Sequence, residues 1–215
     1  MRIIGGTASG RTLKVPTGLG VRPTPDLVRQ AIFNSLGDRT PGARVLDLFS
    51  GSGAMGLECL SRGAEWVLSV EKSGKHAAMI RHNIEATRLP VERHDLRVAD
   101  AFTVIRQLAD AGRTFTLILA DPPFGEKNIG HRSRSLTQRM LDDERLPSLL
   151  EPGGIMVLGH TSRDTVTLTP AWEELKEMRH GDSMMRFLKP ARPAPPSTDP
   201  ATPPPEPGVT EGSNG

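Results

Sequence analysis

From Arg44 onward the chain alternates short apolar runs with longer amphipathic stretches, and this rhythm restricts the possible folds more than any other feature. RVLDLF (44–49), WVLSVE (66–71), LRVAD (96–100), TLILAD (116–121) and GGIMVLGH (153–160) read as five strands. Between them apolar residues recur at helical spacing: Leu57 and Leu60 ahead of Arg62, then Ala77, Ile80 and Ile84 running to Thr87, then Phe102, Ile105 and Leu108. A further helix is expected from Leu136 to Leu150. TLILAD is apolar on both faces, as a central parallel strand covered on two sides must be. Strands alternating with helices build βαβ units, so the expected fold is α/β, with a mostly parallel, doubly wound, Rossmann-like sheet.

After Thr161 the rhythm changes. Trp172–Arg179, Gly181-Asp182 and Met184–Leu188 suit an antiparallel hairpin with a glycine turn. WEELKEM (172–178) is also compatible with a helix, which stays an alternative. Residues 1–20 suggest short strands and turns. TPDLVRQAIFNSL (24–36) carries Leu27, Ile32, Phe33 and Leu36 on a helix, with Thr24 as N-cap and Pro25 at its first position. Three segments follow: an N-terminal β/α extension (1–40), the α/β domain (41–189) and a tail (190–215). Nine of the tail's 26 residues are proline and almost none is a large aliphatic, so it is expected to be disordered.

No run approaches the roughly 18 consecutive apolar residues of a membrane helix. One cysteine, Cys59, allows no internal disulfide, and no cluster has metal-ligand spacing, so a cytoplasmic protein without metal is expected. Without the tail the chain carries 26 basic and 22 acidic residues. Residues 1–40 hold six basic residues (Arg2, Arg11, Lys14, Arg22, Arg29, Arg39) against Asp26 and Asp38. A basic face suits nucleic acid, although a solvated surface explains it equally well.

Asp47-Leu-Phe-Ser-Gly51-Ser-Gly53-Ala-Met-Gly56 falls where the first strand turns into a helix. Glycines there let backbone approach a ligand closely, and the helix N-terminus adds oriented N–H groups. GxGxxG alone is weak; strand before and helix after give it meaning. Glu71, ending the second strand, is placed to accept from a ribose diol. Asp100, ending the third, is placed to accept from an adenine amine. Asp47, Glu71 and Asp100 at three successive strand ends suit an adenosine-bearing cation and suit a pyrophosphate poorly. Each carboxylate could instead cap the following helix.

Asp121-Pro122-Pro123-Phe124 follows the fourth strand, beside the first, at the crevice where such sheets bind ligands. Two prolines stiffen the turn and remove two donors. The Asp121 carboxylate and the Pro122 carbonyl can then accept both hydrogens of one amino group while Phe124 stacks on its ring. A nucleobase amine is a poor nucleophile because its lone pair is delocalised. Acceptors that draw its hydrogens out of plane localise that pair toward an incoming methyl. A rigid proline turn backed by a buried aromatic is the purely structural alternative.

RIIGGTASGRTLKVP, VRPTPDLVRQAIFN, LDLFSGSGAMGLECLSRGA and Asp-Pro-Pro-Phe together resemble the RsmD family of bacterial methyltransferases, over roughly residues 2–125 and more loosely beyond. The resemblance implies a class I methyltransferase fold with a seven-stranded sheet and C-terminal hairpin. It also implies S-adenosylmethionine as cofactor and the N2 amine of a guanine in small-subunit (16S) ribosomal RNA as target. By position, Asp47, Gly51, Gly53, Glu71 and Asp100 would hold the cofactor, with Ala101 reading adenine through its backbone. Asp121, Pro122, Pro123 and Phe124 would hold the guanine. The basic extension would meet RNA, with Arg11, Lys14 and Arg22 as candidates. The expected partner is ribosomal RNA in a small-subunit particle, met by a monomer away from membranes. The stretch from Gly125 to Pro147 and the closing HGDSMMRFLKP depart from the family pattern. Open alternatives are an adenine or cytosine amino-methyltransferase of DNA, a nicotinamide-dependent oxidoreductase and a non-catalytic RNA-binding module. Cys59 is expected in the core, and His160 to pack more than to line the crevice.

Overall fold

A computed structural model describes residues 1–15, 24–123 and 133–191. The apolar runs form β1 (Arg44–Leu48), β2 (Trp66–Glu71), β3 (His94–Val98), β4 (Phe115–Ala120), β5 (Leu150–Thr161), β6 (Trp172–His180) and β7 (Ser183–Pro190). The helices are α1 (Asp26–Leu36), α2 (Ala54–Ser61), α3 (Gly74–Thr87), α4 (Ala101–Asp110) and α5 (Leu136–Leu141). The seven strands make one sheet in the order β3-β2-β1-β4-β5-β7-β6. β1 to β5 pair in parallel; β7 is antiparallel to both β5 and β6. The chain steps outward from β1 to β3, then returns to place β4 on the other side of β1. The direction of winding reverses between β1 and β4, where an open sheet leaves a crevice at its strand ends.

Both faces are covered. Val45, Val67, Leu117, Leu119 and Val157 pack with Ile32, Phe33, Leu57 and Ile84 of α1, α2 and α3. Leu46, Leu48, Ile118 and Leu158 pack on the other side with Val104, Ile105 and Leu108 of α4 and Met140 and Leu141 of α5. Burying one such side chain contributes roughly 1.5–3 kcal/mol. Two-sided burial therefore explains why the uniformly apolar TLILA segment is central rather than an edge.

Three sequence expectations need correction. The helix expected over Leu136–Leu150 stops at Leu141, and a short 3₁₀ turn, Leu146–Leu149, follows; Pro147, which has no N–H to donate, keeps an α-helix from running through to Leu150. β5 accordingly begins at Leu150, with irregular pairing to β4 between Phe115 and Leu117. Thr24 is not the N-cap of α1: Pro25 holds that position, no side chain caps the helix, and the Thr24 hydroxyl points elsewhere. The hairpin reading of the C-terminal segment holds over the helical one, with the turn at Gly181. Pro190 closes β7 and the Ala191 N–H donates to the Ala171 carbonyl, so both belong to the fold. The expectation of a disordered tail falls otherwise on 192–215, outside the described residues.

Residues 1–15 double back on themselves, with Arg2 bridged to Thr12 and the Ile3 N–H donating to the Arg11 carbonyl at 2.9 Å. Glu58 of α2 holds this arm: its carboxylate accepts the N–H groups of Ile4 and Gly5 at 2.7 and 2.8 Å. Glu58 is fully buried, as is Arg29 of α1, whose Nη1 lies 3.6 Å from it. Arg62 donates Nε to Glu58 at 2.7 Å, and Arg29 donates Nη2 to the Arg2 carbonyl at 2.5 Å and to Asp26 at 2.8 Å. Mutual pairing and these backbone bonds offset the desolvation of the two charges. No helix among the described residues is long and apolar enough to cross a membrane.

Candidate active site

At the carboxyl ends of β1, β2 and β4 lies a cavity of about 450 Å³, within the range of small-molecule sites. The loop from β1 to α2 forms one wall. Gly53 takes a left-handed conformation (φ 77°) at the helix entrance, where a side chain would also crowd Ile80. Glu71 fixes this loop: Oε2 accepts the Gly51 N–H at 2.8 Å and Oε1 accepts the Ser73 N–H at 2.7 Å. Ser73, rather than Glu71, caps α3.

Asp47 lies beneath the loop, 3% exposed, accepting the Gly56 N–H at 3.2 Å. Among the described residues no cationic side chain contacts it. Burial pushes its carboxyl up to about 7; Glu71 and Asp121 push the same way, against the hydrogen bonds from Ser50 and Gly56. Asp100 takes the capping role considered for it: Oδ1 accepts the Phe102 and Thr103 N–H groups at the start of α4, while Oδ2 stands 3.8 Å from Lys72. Asp100 and Ala101 line the cavity. Phe49 and Phe102 meet edge to face at 6.3 Å, and the Arg139 guanidinium lies 4.1 Å over the Phe102 ring. Sequence periodicity assigns Phe102 to the buried stripe of α4, which hides its place on the cavity wall.

Asp121, Pro122 and Pro123 line the same cavity as Gly51, Glu71 and Asp100. Asp121 continues the face of β4 that carries Leu119, and Leu119 pairs with Asp47 across β1. Its Oδ2 accepts the Thr24 hydroxyl at 2.5 Å; its Oδ1 is buried and has no hydrogen-bond partner. Burial raises the carboxyl's pKa and the Thr24 bond opposes that rise. Gly159 of β5 makes room for the group, since a Cβ there would fall 2.2 Å from Oδ1. Thr24 lies in the VRPTPDLVRQAIFN motif but reads there as a helix cap, and Gly159 carries no signal beyond its place in the GGIMVLGH strand. Phe124 and Arg22 lie outside the described residues.

Arg11 and Lys14 stand apart from this site. The Arg11 guanidinium donates to the Thr87 carbonyl at the end of α3, so it is engaged internally. Lys14 is exposed and held through its backbone, which both donates to and accepts from the buried Asn83 side chain. His160 is buried against the Thr161 carbonyl and Arg186, not on the cavity wall, and Cys59 is buried in the core.

Asp47 and Asp121, with no cationic side chain in contact among the described residues, fit a ligand that brings a cation. The Glu71 carboxylate at the glycine loop and the Asp100 carboxylate beside Phe102 add two more acidic groups to the cavity wall. S-adenosylmethionine, a sulfonium with an adenosine, matches this set of anionic acceptors.

The family model described as "Conserved hypothetical protein 95" matches residues 1–189. The chain is 30% identical over 182 residues to ribosomal RNA small subunit methyltransferase D of Haemophilus influenzae, covering 84% of this chain and 89% of that protein. A solved structure from Escherichia coli, yhhF, provisionally described as a methyltransferase, superposes with a TM-score of 0.74 at 26% identity, covering 89% of this chain and 98% of that one. A Thermus thermophilus 16S rRNA N2 G1207 methyltransferase in complex with AdoMet and guanosine shares the fold, with a TM-score of 0.60 at 21% identity over 81% of this chain and 44% of that one. With nearly all of its described residues inside that family model, and with the glycine loop and the Asp-Pro-Pro corner facing one cavity, the chain belongs to the family of ribosomal RNA small subunit methyltransferase D.

Proposed function

We propose that this protein transfers a methyl group from S-adenosylmethionine to the exocyclic N2 amine of a guanine in small-subunit ribosomal RNA. The observation that carries the reading is Asp121, a residue of the same cavity as an acidic glycine-loop site, whose buried Oδ1 has no hydrogen-bond partner. That the Thermus thermophilus neighbour is a 16S rRNA N2-guanine methyltransferase and the Haemophilus influenzae relative a small-subunit rRNA methyltransferase supports the substrate class.

When bound, the cofactor supplies an electrophilic methyl on a sulfonium. The chain's own residues do the rest. Glu71 and Asp100 orient the adenosine portion, and Asp47 sets negative charge beneath the loop. Asp121 and the Pro122 carbonyl accept the hydrogens of a flipped-out amine and orient its lone pair toward the methyl. The amine becomes acidic as the new bond forms, so the proton leaves afterwards to an ionised Asp121 or to water. Neither an enzyme nucleophile nor a metal ligand set is required, and among the described residues no cluster could hold a metal. Lys14 and, beyond the described residues, Arg22 are the basic groups proposed to meet phosphate; Arg11 is spent on α3.

The nicotinamide alternative needs a pyrophosphate beside Asp47, Glu71 and Asp100, which like-charge repulsion disfavours. Nucleoside mass spectrometry of small-subunit rRNA, from cells with and without the protein, tests the proposal. Loss of N2-methylguanosine from one site is expected in the deletion; an unchanged modification profile refutes it.

A further inference from the structure

Thr24 and Asp121 are far apart in sequence, yet the Thr24 hydroxyl donates to Asp121 Oδ2 at 2.5 Å and both residues line the cavity. A hydroxyl has one hydrogen and two lone pairs. With the hydrogen committed to Asp121, Thr24 offers an entering ligand acceptor capacity only. The residue also has no capping duty, because Pro25 is the N-cap of α1 and no side chain caps that helix. Asp121 is likewise acceptor-only when ionised, and Pro122 and Pro123 contribute no N–H. The corner is therefore a row of acceptors with no donor among them.

We propose that Thr24 is the specificity residue that selects guanine, by accepting the ring N1–H next to the amine that Asp121 receives. This rests on the reading of Asp121 given above. In guanine the N2 amine adjoins N1–H, so two donors lie side by side on the edge by which a flipped base is read. In adenine the N6 amine adjoins a bare N1, and in cytosine the N4 amine adjoins a bare N3. Either would set a lone pair against the Thr24 oxygen and leave both atoms unpaired. Sites built around one hydrogen bond reject analogues that lack it for this reason. A freely rotating hydroxyl would not discriminate, since it could turn and donate to N1 or N3. Asp121 removes that freedom, so the selectivity belongs to the pair.

The test uses the full-length protein and small-subunit particles from cells lacking it. Methyl transfer is inhibited with guanosine and, in parallel, with 2-aminopurine riboside, which keeps the amine but has a bare N1. The wild type is expected to bind guanosine about tenfold more tightly, the effect of one hydrogen bond. Thr24→Val is expected to lower that ratio to about one, and Thr24→Ser to restore it, with unchanged affinity for S-adenosylhomocysteine in both. Equal inhibition of the wild type by the two nucleosides overturns the proposal. So does a Thr24→Val protein that keeps the guanosine preference. If Asp121→Asn is inactive in that case, the Asp121 reading survives and the Thr24 assignment alone falls. Full activity of Asp121→Asn removes both.

Discussion

The two oxygens of Glu71 serve two different loops, Oε2 taking the Gly51 N–H and Oε1 the Ser73 N–H. One carboxylate at the end of β2 thus sets the spacing between the glycine loop and the start of α3. Bonds to a charged acceptor contribute about 1.5–3 kcal/mol each. Glu71→Ala is therefore expected to weaken S-adenosylhomocysteine binding by about a hundredfold or more, read by calorimetric titration. Wild-type affinity in this variant contradicts the loop assignment.

Asp121→Asn keeps the shape of the corner but replaces one acceptor with a donor. Turnover is expected to drop by about 10²–10³-fold, the scale for losing one preorganised polar group, with little change in affinity for S-adenosylhomocysteine. Single-turnover methyl transfer alongside the titration separates the two effects.

Gly159→Ala tests the same corner from outside it. The new methyl would fall 2.2 Å from Asp121 Oδ1, so the carboxylate must turn away. Transfer is expected to be lost as severely as in Asp121→Asn, with product binding preserved. A fully active Gly159→Ala enzyme would show that Asp121 does not work from this position.

Asp47 makes stability depend on pH. Its carboxyl moves from 3.8 to about 7 on folding, chiefly through burial. A raised carboxyl contributes stability below its unfolded pKa and loses it as pH rises through the folded one. The ligand-free protein should therefore weaken between about pH 4 and pH 7, and Asp47→Asn should flatten this slope in melting temperatures taken across pH. A cation favours the ionised form, so affinity for S-adenosylmethionine should rise through neutral pH relative to its uncharged-sulfur product.

Arg29→Met leaves the buried Glu58 with one partner fewer. Breaking a buried pair from one side costs about 3–5 kcal/mol, so a large drop in melting temperature is expected. Changing Glu58→Leu as well should recover part of it, which urea denaturation can measure.

The legible parts of this chain are those whose signal is local. TLILA announces a central strand because both its faces are apolar, and the two prolines after Asp121 announce a stiff corner at that strand's exit. The glycine loop and the acidic strand ends were likewise readable from spacing. What escaped depends on distant partners. Thr24 before Pro25 has the composition of a helix cap, and only the return of β4 beside β1 brings Asp121 to its hydroxyl. Arg29 counts as a surface charge in a sum over residues 1–40, although its spacing from Phe33 and Leu36 places it on the buried stripe of α1. Asp100 suits a ligand group or a cap equally well in the sequence, and only the fold shows one oxygen capping α4 and the other beside Lys72.

The clamp of Glu58 on the Ile4 and Gly5 amides has a metric consequence. The helix that launches from the glycine loop also grips the amino-terminal arm, so one carboxylate ties the spacing of the two together. If the arm meets RNA as proposed, this clamp sets how far the bound strand lies from the cavity.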